Sequence, residues 1–201
     1  MIKNIIFDLG GVLLDIDFNL SNQAFSKLGV SDFKQYVSQH YADDLFERFE
    51  TGAISVPDFY DEFRKKTKLE LSNTDIENAW NSMLLHFSKE RMERLEELGK
   101  RFNIYLFSNT NEIHVKYFTE LCREEIGKEL SSYFIKTWYS NEVGFRKPYV
   151  ASFKRLLSLE NLSPDETLFI DDTVGNIEGA ELADLKTIHL SPPKTLMDLK
   201  L

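Results

Sequence analysis

The apolar run Ile5-Ile6-Phe7 stops at Asp8-Leu9-Gly10-Gly11-Val12, and the design returns near the other end, where Thr167-Leu168-Phe169-Ile170 stops at Asp171-Asp172 ahead of Gly175. A short apolar run closed by turn residues reads as a strand buried on both faces, the kind found in parallel sheets covered by helices. Ligands of such sheets bind outside the carboxyl ends of the strands. Two strands ending in carboxylates therefore predict one shared site, where an aspartate acts as nucleophile or holds a hard cation.

With 201 residues, 42% of them apolar and 13% aromatic, the chain has enough material for a full core. One compact domain, or a core with a small insert, is expected. The net charge of −9 argues against nucleic acid as a partner, because no basic face would cancel phosphate charge. The lone cysteine, Cys122, excludes an internal disulfide and a four-cysteine zinc site. It shares helical spacing with Val115, Phe118 and Thr119, so inert packing is expected. The apolar run before Asp8 is too short for a signal peptide, and no stretch is long enough to predict a membrane span, so a cytoplasmic location is expected. Asn19-Leu20-Ser21 and Asn161-Leu162-Ser163 then read as chance sequons.

After the first strand, the next clear one, Asn103-Ile104-Tyr105-Leu106-Phe107, follows a gap far longer than the ~30 residues of a βαβ unit. Three-four apolar spacing predicts helices over 18–28, 43–50, 56–66 and 75–85. Gly29, Gly52, Pro57 and the capping stretch Ser72 to Asp75 punctuate them. Residues 16–87 are therefore read as a helical-bundle insert, with 1–15 and 88–201 forming the core. Beyond it, strand and helix alternate: a helix over 88–101, strands near 103–107, 134–139, 167–170 and 186–190, and helices over 112–125, 149–159 and 174–185. Alternation of this kind predicts an α/β fold on a Rossmann-like parallel sheet.

Four polar clusters fall at strand ends or in the loops after them: Asp8, Ser108-Asn109, Lys147 within Gly144-Phe145-Arg146-Lys147-Pro148, and Asp171-Asp172. In this order, and with a helical cap inserted after the first, they resemble the haloacid dehalogenase superfamily, whose members are mostly phosphatases with an aspartate nucleophile. The resemblance runs the length of the chain. It implies that Asp8 attacks phosphorus, forming an aspartyl-phosphate. It further implies that Mg²⁺ is held by Asp8, the Gly10 carbonyl and Asp172, with Asp171 adjacent. Ser108 and Asn109 would bind the phosphoryl oxygens at a helix N-terminus, and Lys147 would hold both Asp8 and the phosphoryl charge. The expected partner is a small phosphate ester, with sugar phosphates favoured.

Each residue also has an ordinary role: Asp8 in a turn, Ser108-Asn109 as a helix cap, Lys147 as a loop cation, Asp171-Asp172 at a helix N-terminus. Their joint placement at strand ends is what argues for a site. His40, His86, His114 and His189 form no triad with serine or cysteine; His114, near Asn111, could approach the site, but a surface or helix-packing role is the expectation. Most phosphatases of the superfamily carry a general-acid aspartate two residues after the nucleophile, where this chain has Gly10. The Asp8-Leu9-Gly10-Gly11-Val12 segment with Asp15-Ile16-Asp17-Phe18 resembles the α-D-glucose-1-phosphate phosphatase-like branch, which also has glycine there. Asp15, Asp17 or a cap residue is then the expected substitute. The alternatives are a non-catalytic phosphate- or partner-binding module and a signalling receiver, which lacks such an insert. Dehalogenation is disfavoured, since no halide cradle is visible near Gly11.

Overall fold

The computed structural model describes residues 1–38 and 41–201. Strand β1 (Asn4–Phe7) leads to β2 (Leu14–Ile16), helix α1 (Phe18–Lys27), the short strands β3 (Val37–Ser38) and β4 (Tyr41–Ala42), helices α2 (Asp44–Glu50), α3 (Val56–Thr67) and α4 (Asn73–Asn81), and strand β5 (Leu84–Phe87). Then follow α5 (Lys89–Gly99), β6 (Asn103–Ser108), α6 (Glu112–Ile126), β7 (Lys136–Tyr139), α7 (Ser140–Val143), α8 (Val150–Leu159), β8 (Thr167–Asp171), α9 (Val174–Glu181) and β9 (Lys186–His189). Side-chain caps start several helices where the sequence offers an acceptor: Ser55, Ser72, Ser88 and Asn111 each take the amide three residues on.

β7, β6, β1, β8 and β9 form, in that order, one parallel sheet. Side chains alternate between its faces with the strand period of two. Ile5 and Phe7, Ile104 and Leu106, and Leu168 and Ile170 pack into the core that includes Leu95 of α5 and Phe118 of α6. Ile6, Tyr105, Phe107 and Phe169 pack on the other face with Phe153 of α8 and Ile177 of α9. The chain leaves β1 on one side for β6 and β7, then returns to its other side for β8 and β9. The direction of winding thus reverses at β1, and because the strands are parallel, Asp8, Ser108 and Asp171 all lie at the carboxyl edge there.

The helices between β1 and β6 have an aromatic core. Phe59 is fully buried, stacks on Phe49 at 4.3 Å between centroids and lies 5.0 Å from Trp80, while Phe46 meets Trp80 edge-on at 5.0 Å. This core is continuous with that of the sheet. Trp80 packs against the His114 ring of α6 at 4.7 Å, and Arg146 pairs with Glu50 at 2.9 Å. No helix among the described residues is long and apolar enough to cross a membrane.

Two spans differ from the sequence reading. The helix expected over 75–85 ends at Asn81, and Leu84–Phe87 pairs antiparallel with Leu14–Ile16 as a two-stranded ribbon carrying a register shift. The helix expected to reach residue 185 stops at Glu181, with Asp184 in the left-handed region at φ 65°. Phe59→Ala is expected to destabilise the protein by ~3–5 kcal/mol, because its surrounding rings cannot collapse fully onto the void. Urea denaturation of the variant measures this, and a loss below about 1 kcal/mol would show the aromatic core to be loosely packed.

Candidate active site

The turn after β1 folds back on itself, with the Leu13 and Leu14 amides donating to the Leu9 carbonyl and the Gly11 amide to the Leu14 carbonyl, each at 2.9 Å. This brings Gly11 against Asp172. A Cβ on Gly11 would lie 2.1 Å from Asp172 Oδ2, and its φ of +72° disfavours any other residue. Gly10 is different: its φ is outside the left-handed region, and an added Cβ would meet only the flexible end of Ile16, Cδ1, at 3.0 Å.

Lys147 lies at the centre, with its side chain 1% exposed. Its Nζ is 2.7 Å from Asp8 Oδ1 and 2.7 Å from Asp171 Oδ2, above the rings of Phe107 and Phe169. Burial alone would lower the pKa of this ammonium, but Asp171 and Asp8 reverse that and hold it above its usual value. The backbone of Lys147 is fixed as well. Its amide donates to Asn109 Oδ1 at 2.9 Å, and Asn109 Nδ2 donates back to its carbonyl at 2.8 Å.

Asp171 is fully buried and heavily hydrogen-bonded. The Thr173 amide donates to Oδ1 at 2.8 Å, and Asn176 Nδ2 lies 3.0 Å from both oxygens. Asp8 accepts the Leu9 amide at 2.7 Å. Its carboxyl is pushed up to about 8, first by burial and then by Asp171, with Lys147 opposing. Asp172 is also raised, by burial and then by Asp171. Asp8, Asp171 and Asp172 can each place an oxygen within 4.8 Å of the others. Once all three are ionised, as a bound cation would favour, the carboxylates facing one ammonium carry two excess negative charges, and all the donors are oxygens, a set that fits a hard divalent cation.

The cavity at this edge has a volume of about 120 Å³ and is bordered by Asp8, Gly10, Ser108, Asn109, Lys147 and Asp172, so the structure brings together the residues singled out in the sequence. Asp171 sits beneath it, tied to Lys147. Ser108 is buried, and the Asn109 side chain is taken up in holding Lys147. Neither suggested substitute acid near β1 is at the cavity: Asp15 pairs with Arg91, and Asp17 caps α1.

Two charged cavity residues were not expected: Glu50, which arrives from α2, and Arg146, which precedes Lys147. His114, near enough to Asn111 to approach the site, does so from the first turn of α6, where it is buried against Trp80. Burial drives the His114 imidazole down to about 3, partly offset by hydrogen bonding with the Trp80 backbone. Burial raises the Glu50 carboxyl, with Arg146 opposing. Arg146 stood within the quoted Gly144 to Pro148 segment, whereas nothing in the sequence brings Glu50 to His114. His40 lies outside the described residues.

Comparison with known proteins places the chain in a family. The family model for haloacid dehalogenase-like hydrolases matches residues 2–184. A D-ribitol-5-phosphate phosphatase of Bacteroides thetaiotaomicron is 32% identical over 183 residues, covering 90% of this chain and 89% of that protein. A sesquiterpene phosphatase of Aspergillus oryzae is 25% identical over 200 residues, covering 98% and 95%. A haloacid dehalogenase family enzyme of B. thetaiotaomicron, solved in complex with magnesium and inorganic phosphate, superposes with a TM-score of 0.87 at 30% identity and 96% coverage of both chains. With Asp8, the buried lysine and the acidic pair at one sheet edge, the chain belongs to the haloacid dehalogenase-like hydrolase family.

Proposed function

We propose that this protein is a Mg²⁺-dependent phosphatase that hydrolyses a small phosphate monoester, of a sugar or sugar alcohol, through an aspartyl-phosphate on Asp8. The observation that carries the reading is the Lys147 ammonium held 2.7 Å from both Asp8 and Asp171 beside Asp172. A phosphate dianion cannot approach an aspartate unless cations and hydrogen-bond donors offset the repulsion. The magnesium relative supports the choice of metal. Asp8, Asp172 and the Gly10 carbonyl would hold the ion, which when bound neutralises charge on the phosphoryl oxygens.

In this mechanism Asp8 forms a bond to phosphorus as the ester P–O bond breaks, and the departing alkoxide takes its proton from water. Water then attacks phosphorus, releasing inorganic phosphate and restoring the carboxylate. Ser108 Oγ and the backbone after it bind phosphoryl oxygens at the start of α6, and the Asn109 side chain acts through Lys147 by fixing that residue's backbone. Lys147 orients Asp8 and stabilises the charge of the transferring group, and Asp171 keeps Lys147 in place. Residues 16–87 act as the cap that encloses the leaving group over a core of 1–15 and 88–201, with the β2–β5 ribbon bridging the two junctions.

The cavity volume supports a small leaving group. At about 120 Å³ it is well below the ~300–1,000 Å³ typical for drug-sized ligands. The polyol substrate in the Bacteroides relative's name fits this better than the terpene in the Aspergillus relative's name. A second reading rests on Gly10: without the usual acid the fold would bind phosphate and not turn it over.

Asp8→Asn is expected to cut hydrolysis of p-nitrophenyl phosphate by at least ~10³-fold while leaving the melting temperature no lower, since one of three crowded carboxylates becomes neutral. Wild-type rates in the purified variant would show that another group attacks phosphorus. Activity should be lost in EDTA, return with Mg²⁺ and fall when Ca²⁺ competes, because the larger ion takes more oxygen ligands at longer range. Equal rates in EDTA and Mg²⁺ would contradict the metal assignment. Gly10→Asp should raise turnover, up to ~10²-fold for sugar phosphates and less for p-nitrophenyl phosphate, whose leaving group needs little protonation. A folded variant with no gain on either ester would show that the missing acid is already replaced.

A further inference from the structure

Strands β6 and β7 run parallel and end side by side, Ser108 opposite Tyr139, so the residues that leave the two strands stay close. Ser140, the first residue after β7, is fully buried, and Thr110, two residues past β6, is also buried. The Ser140 hydroxyl is spent on that one neighbour. Its Oγ accepts the Thr110 amide at 2.9 Å and donates to the Thr110 carbonyl at 3.0 Å. A side chain thereby continues the pairing of the two segments beyond the end of the strands.

The segment held in this way borders the cavity through Ser108, Asn109 and Thr110. Each residue after Ser108 is tied to a different partner. The Asn109 side chain is bonded to the Lys147 backbone, the Thr110 backbone to Ser140, and the Asn111 side chain accepts the His114 amide at the start of α6. Ser108 Oγ makes a long contact of 3.4 Å with the Asn109 carbonyl, so its hydroxyl gives up little on turning to a phosphoryl oxygen. Fixed donors bind an anion without reorganising, provided that the loop carrying them cannot shift. Thr110 is the middle of that loop. A backbone amide and carbonyl buried without partners are costly, so without the Ser140 hydroxyl the loop would move to satisfy them.

We propose that Ser140 is a positioning residue for phosphate: by fixing Thr110 it keeps Ser108 and the start of α6 in the geometry that receives the phosphoryl oxygens. The proposal rests on the phosphatase reading above, which gives Ser108 and the backbone after it that task, and adds a residue from the neighbouring loop. The groups proposed to hold Mg²⁺ come from the ends of β1 and β8, and the Ser140 hydroxyl bonds to neither. Loss of that hydroxyl should therefore separate phosphate binding from metal binding.

The test titrates inorganic phosphate into the Mg²⁺-loaded protein, and Mg²⁺ into phosphate-free protein, by calorimetry. Wild type, Ser140→Ala and Ser140→Cys are compared, with kcat/KM for p-nitrophenyl phosphate measured alongside. Cysteine fills nearly the same space with a thiol that donates and accepts weakly, and serves where alanine does not fold. A dissociation constant is read on the folded fraction alone, so partial misfolding does not enter it. Phosphate affinity and kcat/KM should each fall by about tenfold or more, while Mg²⁺ affinity stays as in wild type. Unchanged phosphate affinity in a folded variant, phosphate and Mg²⁺ affinities falling together, or failure of both variants to fold would show ordinary packing and overturn the proposal alone. A wild type that neither binds phosphate nor hydrolyses p-nitrophenyl phosphate would overturn the phosphatase reading and this proposal with it.

Discussion

A single ammonium, that of Lys147, is buried between two carboxylates, and much of the molecule is arranged to keep it there. Phe107 and Phe169, from the strands on either side of β1, lie beneath it. Removing a charge from water is costly unless it is paired and hydrogen-bonded, and both conditions are met through Asp8 and Asp171. The partners come from separate strands, β1 and β8, and the backbone of Lys147 is tied to the loop after β6 through Asn109. The parallel sheet is therefore the means by which residues far apart in sequence meet at one edge. The same crowding that raises the Asp8 and Asp172 carboxyls leaves an excess of negative charge for a divalent cation to balance.

The helices inserted after β1 close the other side of the cavity. Their aromatic core sets Trp80 against His114 and continues into the core of the sheet. Glu50, at the end of α2, is the carboxylate this insert contributes to the cavity. In the proposed division of labour, the sheet edge handles phosphate, a chemistry shared by many substrates, and the insert encloses the leaving group. Gly10 fits that division. A Cβ there would meet Ile16 Cδ1 at 3.0 Å, so the turn that borders the cavity stays free of a side chain at this position.

Much of this was legible in the sequence because strand ends are marked by abrupt changes of chemistry. Ile5-Ile6-Phe7 before Asp8, and Leu168-Phe169-Ile170 before Asp171, show both the strands and the side that carries the site. The helices of the insert announced themselves by spacing and by caps such as Ser55 and Ser72. The β2–β5 ribbon did not. Leu84 and Phe87 sit at helical spacing after Trp80, and only pairing with Leu14 and Ile16, some seventy positions away, makes them a strand. The places of Asn109 and His114 were harder to read, for a similar reason. A capping-type residue and a helical histidine look ordinary until tertiary packing puts one against the Lys147 backbone and the other, buried by Trp80, at the cavity.

The central claim is that Asp8 carries the phosphoryl group during turnover. It is tested most directly by mixing enzyme, Mg²⁺ and a ³²P-labelled phosphate ester, quenching in acid within one turnover, and mapping the label by peptide mass spectrometry. A hydroxylamine-labile phosphoryl group is expected on the peptide containing Asp8, absent in Asp8→Asn. Label on another residue, or phosphate released in a burst with no labelled protein at any time, would contradict it.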